Sequence, residues 1–278
     1  YFIRKIIQHK KYMKKVFLIL FVIINTKIFV YSYFETEIKY LESGKFDLVN
    51  KLLEKHKNLD DKKFLNAVIS FYLGKYGEAK EQINSISNLQ RYNIFPELKL
   101  IIENINLVND IINDTYEQFE TKHFVIFLKG RDIILKEKIM LDLENIYNRY
   151  EQIFNFSLTD EKVRVEIYNT KQEFYLCSTL GEEIVNKTGV VGICKFNRIM
   201  VLSPENLPYG YRWVDTLSHE YLHLIFNRIT EYNLPLYLHE GSARYFDTLY
   251  RSSFSLCITA GSLNNILEAR KEDKIIPF

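Results

Sequence analysis

Cysteine is scarce in this 278-residue chain: three residues, Cys177, Cys194 and Cys257, widely spaced and odd in number. A disulfide framework is excluded, and no pair has zinc-ribbon or dithiol redox spacing. At most one intramolecular pair can form, for example Cys177 with Cys194, and buried free thiols satisfy the sequence equally well. An excess of one charge is also missing. The 37 basic side chains stand against 35 acidic ones, which leaves no footprint for nucleic acid or for a charged membrane surface. No uninterrupted apolar run reaches the ~20 residues of a spanning helix. Histidine is rare too, at 6 residues, so any patterned pair of histidines carries weight.

What is present describes a globular protein of one large or two small domains, 47% apolar and 26% charged. The 20 Tyr and 20 Phe read as core and interface material. Near the N-terminus, Met13-Lys14-Lys15 precedes the apolar run Val16 to Ile24, and Val30 and Ser32 occupy small-residue positions. This is the pattern of an export signal over residues 1–32, cleaved near Ser32–Tyr33, with Met13 as the expected start. A retained membrane anchor over residues 16–31 is the alternative, although Lys27 interrupts it. Either way the remainder is expected outside the cytosol: periplasmic, at the cell surface or secreted.

Residues 33–119 read as helices. Leu41-Glu42-Ser43-Gly44-Lys45-Phe46 is echoed by Phe71-Tyr72-Leu73-Gly74-Lys75-Tyr76, with the glycines 30 residues apart. The turn resembles that of a tetratricopeptide hairpin, in degenerate form. Such hairpins could receive a protein partner, whereas a plain helical bundle would not need one. Pro96 opens a further helix through Ile112. Near Thr121 the period changes. His123 to Leu128 and Val163 to Tyr168 are predicted strands, Arg131 to Phe154 an amphipathic helix, and Gly189–Cys194 with Arg198–Leu202 a hairpin. The class predicted for residues 120–278 is α+β, with a mixed sheet beside the helix that follows.

That helix carries His219-Glu220-Tyr221-Leu222-His223. Residues four apart share a helix face, so both imidazoles can reach one ion. Two neutral imidazoles suit zinc, and Glu220 is placed to act as general base on a water. Seventeen residues beyond His223, after a break at Pro235, comes Glu240 within His239-Glu240-Gly241-Ser242-Ala243. Glu240 can project back as a third ligand, or it can be a helix-start carboxylate favoured by the dipole. Asp215 and Asp247 are candidates to orient an imidazole, and Asp215 could equally form a salt bridge. His239 points about 100° away from Glu240. Tyr245 and Tyr250 could stabilise an oxyanion, but spacing picks out neither.

Trp213-Val214-Asp215-Thr216-Leu217-Ser218-His219-Glu220, with Pro235-Leu236-Tyr237-Leu238-His239-Glu240-Gly241-Ser242-Ala243, resembles the gluzincin metallopeptidases, in particular the peptidase MA-like group. Val214 stands where that group has leucine, and Leu236-Tyr237 where it has tryptophan. The resemblance covers residues 121–278. It implies a zincin-like fold, one zinc ion on His219, His223 and Glu240, base Glu220, and a peptide or protein substrate. It also implies that an edge strand, here Val190, Val191 and Gly192, pairs with the substrate backbone. An ordinary hairpin with a glycine bulge is the alternative. No glutamate stands at that strand to anchor a free amine, which favours endopeptidase over aminopeptidase action. In that family a run like Ile275-Ile276-Pro277-Phe278 leads into more helices, so the peptidase domain is expected to continue past Phe278. The contrasting expectation is a zincin-fold interaction scaffold with little turnover.

Overall fold

The structure is a computed structural model and describes residues 34, 36–41, 43–112, 116–158, 162–180, 182–207, 210–251 and 268. The expected export segment, Cys257 and the run ending at Phe278 lie outside the described residues. Among the described residues, no helix is long and apolar enough to cross a membrane.

Five strands form one mixed sheet in the order β1-β2-β3-β5-β4: β1 Glu117–Glu120, β2 Phe124–Leu128, β3 Val163–Tyr168, β4 Gly192–Lys195 and β5 Arg198–Leu202. The central pairs β2–β3 and β3–β5 are parallel, and the outer strands β1 and β4 run antiparallel to their neighbours. The alternation of β3 and β5 sorts their side chains between two faces. Val163, Val165, Ile167, Ile199 and Val201 enter one core, and Tyr168, Met200 and Leu202 the other.

The helices divide in the same way. Among those that precede the sheet are α1 Phe46–Leu53, α2 Leu59–Tyr72, α3 Tyr76–Asn84 and α4 Pro96–Ile111. Their apolar faces share one core with Tyr168, Phe174, Phe196, Met200 and Leu202. So the chain before Thr121 packs on the sheet and extends its core. On the opposite face lie α5 Lys136–Phe154 and α8 Trp213–Ile229. The expected helix over 131–154 begins as a 3-10 turn, Gly130–Leu135. Two helices not predicted from the sequence, α6 Lys171–Ser178 and α7 Glu182–Thr188, fill the connection between β3 and β4. A capping box starts α6, with the Thr170 hydroxyl accepting from Glu173 N and the Glu173 carboxylate from Thr170 N.

The helical reading up to Phe119 requires a correction. Glu117–Glu120 is a strand, paired with β2 from Glu117↔Leu128 to Glu120↔Val125. Its sequence has little apolar alternation, and it is extended because β2 offers a free edge. The two glycine turns adopt the same geometry. Gly44 and Gly74 have φ +66° and +76°. Gly44 N donates to Leu41 O and Lys45 N to Tyr40 O, just as Gly74 N donates to Phe71 O and Lys75 N to Ser70 O. This left-handed helix stop favours glycine. Cys177 is buried, and it and Cys194 are both free thiols.

Candidate metal centre

Packing fixes α8 against the sheet. Leu217, Tyr221, Leu222, Leu224 and Ile225 are buried on it, each contributing roughly 1.5–3 kcal/mol of apolar burial. Ser218 is buried as well, and its hydroxyl meets Tyr150 of α5 at 2.7 Å. Tyr150 OH also lies 2.7 Å from Phe246 O. Tyr150 therefore ties α5 to α8 and to the end of α9, Leu236–Phe246. Between α8 and α9 the chain reverses through Glu231 and Tyr232, both at positive φ, and Pro235 precedes the first residue of α9.

That reversal closes the gap between His223 and Glu240. His219 Nε2 and His223 Nε2 lie 3.0 Å apart, and Glu240 Oε2 is 3.6 Å from each. A tetrahedral ion with ligand distances near 2.0–2.1 Å holds its donors roughly 3.3 Å apart. The residues present therefore fit a zinc ion on His219, His223 and Glu240, the grouping whose ligand atoms all lie within 4.8 Å of one another. Without a cation, two imidazole nitrogens at 3.0 Å need a proton between them to avoid opposing lone pairs.

The electrostatics separate the two imidazoles, favouring a neutral donor at His223. Burial, then the neighbouring His219 and His239, push His223 down to about 3, so its lone pair stays available. Burial also lowers His219, but Asp247, Glu220 and Glu240 outweigh it, and its pKa is raised. Burial holds Glu220 up at about 7, against the charge of His219 and a backbone hydrogen bond from Cys194.

Of the two aspartates proposed to orient an imidazole, the structure brings one into reach. Asp247, 1% exposed, has Oδ2 3.4 Å from His219 Nδ1 and 3.1 Å from Arg244 Nη1. The contact to His219 is long and falls short of a full hydrogen bond, so His219 Nδ1 is left without a partner; Asp247 Oδ1, the other carboxylate oxygen, has none either. Asp215 accepts from Tyr250 OH at 2.7 Å, pairs with Arg212 Nε at 3.1 Å and also binds Arg251. Among the described residues it makes no hydrogen bond to either imidazole. Its salt bridges come from arginines before and after it in the chain, including one at i−3. Tyr250 is thereby occupied, and Tyr245 is exposed.

His239 stacks on His223 at 4.4 Å with the rings nearly parallel, and its Nε2 lies 2.9 Å from Asn227 Oδ1. It thus packs behind the ligand ring, at a distance that sequence adjacency to Glu240 does not reveal. His123 is structural: its Nδ1 lies 2.7 Å from Glu144 Oε2 and its ring stacks on Tyr147.

Val190, Val191 and Gly192 line a cleft of about 430 Å³ together with His219 and Glu220. β4 is the sheet edge, and Leu202 N donates to Val191 O. The antiparallel alternation therefore turns the main-chain groups of Gly192 and Cys194 away from β5, in keeping with the bond from Cys194 to Glu220. Gly192 has a reason beyond substrate approach. A Cβ there would lie 2.5 Å from Thr216 Cγ2 and 3.0 Å from Glu220 Oε1. The helix itself needs that space. The sequence reading missed Tyr211, Thr216, Arg212 and Arg244 as cleft residues. The arginines carry a legible signal, since each stands three residues before an aspartate. Comparison of the chain with protein-family profiles, with curated proteins and with solved structures finds no match.

Proposed function

We propose that this chain is a zinc-dependent peptidase of the gluzincin type, acting within peptide chains. The observation that carries the reading is the convergence of His219, His223 and Glu240, with His219 and the buried Glu220 also lining a cleft bordered by an edge strand. His219, His223 and Glu240 would hold the ion. Bound there, zinc would supply Lewis acidity. Glu220, buried and held near neutrality, is the group that would accept a proton from an attacking water at its carboxylate and return it to the leaving nitrogen. The outward main-chain groups of Gly192 offer hydrogen bonds to an extended peptide. Asp247, with Oδ2 3.4 Å from His219 Nδ1, is the residue that would orient this ring.

The wider reading places this peptidase in a zincin-like fold, outside the cytosol, behind an export segment or anchor. The helical hairpins ahead of it, with their matched glycine turns, serve as a tetratricopeptide-like module open to a protein partner. The test is cleavage of a peptide library by the zinc-loaded protein and by Glu220→Gln. The expected result is internal cleavage that falls by about 10²–10⁴ in the variant while zinc content is retained. Stoichiometric zinc with no Glu220-dependent cleavage would overturn the peptidase and leave a metal-binding scaffold.

A further inference from the structure

Two turns support the candidate centre from outside it, and both rest on the helices ahead of the sheet. The first joins β4 to β5 through Phe196 and Asn197, at φ +55° and +59°. Two left-handed residues in a row make the hairpin turn whose twist matches that of its strands. Asn adopts that conformation readily, whereas a bulky side chain in it is strained. Phe196 is nonetheless 1% exposed, with its ring stacked on Tyr72 at 3.6 Å and 10°. Tyr72 is the last residue of α2. The second turn is the reversal through Glu231 and Tyr232 that leads from α8 to α9. Lys45 Nζ stands 5.6 Å from the centre of the Tyr232 ring. Both turns meet at Gly44, where an added Cβ would lie 2.9 Å from Asn197 Cβ and 3.4 Å from Tyr232 OH. Asn197 Oδ1 also accepts from Arg228, at 3.2 Å from Nε and 2.8 Å from Nη2, in the last turn of α8. The matching turn at Gly74 packs on the Arg164 guanidinium instead.

Resting on the peptidase reading for its catalytic part, we infer that Tyr72 and Gly44 are positioning residues, through which the helices ahead of the sheet hold Glu220 and Glu240 in place. Each turn leads to one of those carboxylates. The first fixes β4, whose Gly192 backbone packs so closely on Glu220 that an added Cβ would lie 3.0 Å from Oε1. The second decides where α9 returns, and with it the 3.6 Å approach of Glu240 to His219 and His223. Tyr72 and Gly44 act through these turns and not by contact with the reacting groups. Without the Tyr72 ring, the strained Phe196 loses what holds it in the left-handed region. The turn then relaxes, and β4 loosens against α8. Displacing a catalytic group by about 1 Å can cost on the order of 10²-fold in rate, so a partial loosening is visible in turnover.

The test compares Tyr72→Leu with Tyr72→Phe, which keeps the ring, and Gly44→Ala with Gly74→Ala, which carries the same backbone strain at the other turn. Amide hydrogen exchange is read on the metal-free full chain, and zinc affinity by competition with a chelator. Peptide cleavage is then measured on the zinc-loaded protein. The informative amides are Ile193 and Lys195, paired across to β5, and Tyr232, which donates to Asn227 O. In Tyr72→Leu their exchange should rise by about tenfold, while Ile126 and Val165 in the central strands keep the wild-type rate. Gly44→Ala should do the same at Lys195 and Tyr232, and zinc affinity should fall by about tenfold with it. Turnover should fall by about tenfold or more in both variants. Tyr72→Phe should restore the wild-type values, and Gly74→Ala should spare all three amides. If Tyr72→Leu does not fold, Gly44→Ala against Gly74→Ala decides alone. Unchanged exchange at these amides, a uniform rise across the sheet, or an equal response to Gly74→Ala would overturn the inference. Wild-type cleavage in variants whose exchange has risen also overturns it and leaves the peptidase standing. The expected exchange and zinc responses without any cleavage by the wild type support the positioning role and count against the peptidase.

Discussion

The two faces of the sheet bury polar groups in opposite ways. On the face toward α3 and α4, Glu166 is closed in by partners. It pairs with Arg198 at 2.9 Å and Arg164 at 2.8 Å, and accepts from Tyr168 OH at 2.9 Å. Tyr76 OH reaches the same group, and Arg198 also donates to Cys177 O. Only Arg198 Nε in this cluster lacks a partner. On the face toward α8, the polar side chains converge without completing one another. His219 Nδ1, His223 Nδ1 and Asp247 Oδ1 are buried and unpartnered, and two imidazole nitrogens confront each other. A buried network that satisfies itself holds a structure together. One that stops short of doing so leaves buried donors and acceptors whose partners the described residues do not provide.

Substitution can break or sharpen this contrast. The largest stability loss belongs to the closed network. Glu166→Gln leaves two guanidinium groups without their buried counter-charge and should cost about 3–5 kcal/mol by denaturant unfolding. By contrast, Asp247→Asn in the metal-free protein should cost under about 1 kcal/mol, because the amide oxygen can still accept from the exposed Arg244 and Asp247 Oδ1 has no partner to lose. A comparable loss on both faces would erase the distinction.

Next in size is Gly192→Ala. The added methyl meets Thr216 and Glu220, and overpacking of this kind costs about 1–3 kcal/mol. Because Glu220 must shift to admit it, activity should fall by more than the stability loss explains. Tyr150→Phe removes the hydroxyl joining Ser218 to Phe246 O, leaving both without that partner, with an expected cost of about 1–2 kcal/mol.

The smallest effect is a pH dependence. Burial raises the Glu166 pKa, but the charges of Arg164 and Arg198 outweigh it and hold it below the ordinary carboxylate value. A lowered folded-state pKa contributes stability that is present above the unfolded value of about 4.3 and disappears as pH falls through the folded one. Thermal melts of the wild type should therefore drop on acidification below about pH 4, and Glu166→Gln should lack that part of the drop.

The sequence made the two faces legible unequally. Period-2 alternation located β3, a short apolar run located β5, and helical spacing in α8 put His219 and His223 on one face. β1 was missed because Glu117-Gln118-Phe119-Glu120 has no apolar pattern and owes its extension to its neighbour. The box Thr170-Lys171-Gln172-Glu173 was a readable helix start for α6, although few apolar residues follow it at helical spacing. Gly44 and Gly74 announced turns, but not what those turns meet. Gly74 packs on the Arg164 guanidinium and Gly44 on Asn197, contacts made far along the chain. In the site, spacing could not rank Asp215 against Asp247. Which aspartate reaches an imidazole depends on where α9 returns, and Arg251 and Tyr250 capture the other.

The central claim, that α8 and α9 together hold one ion, is most directly tested by zinc stoichiometry. Elemental analysis after dialysis would be run on the wild type and on Glu240→Gln. Glu240 is 56% exposed, so its loss should barely change metal-free stability. The expected result is one zinc per wild-type chain, with affinity reduced by at least about tenfold in Glu240→Gln. No stoichiometric zinc in the wild type, or equal retention by a folded Glu240→Gln, would contradict it.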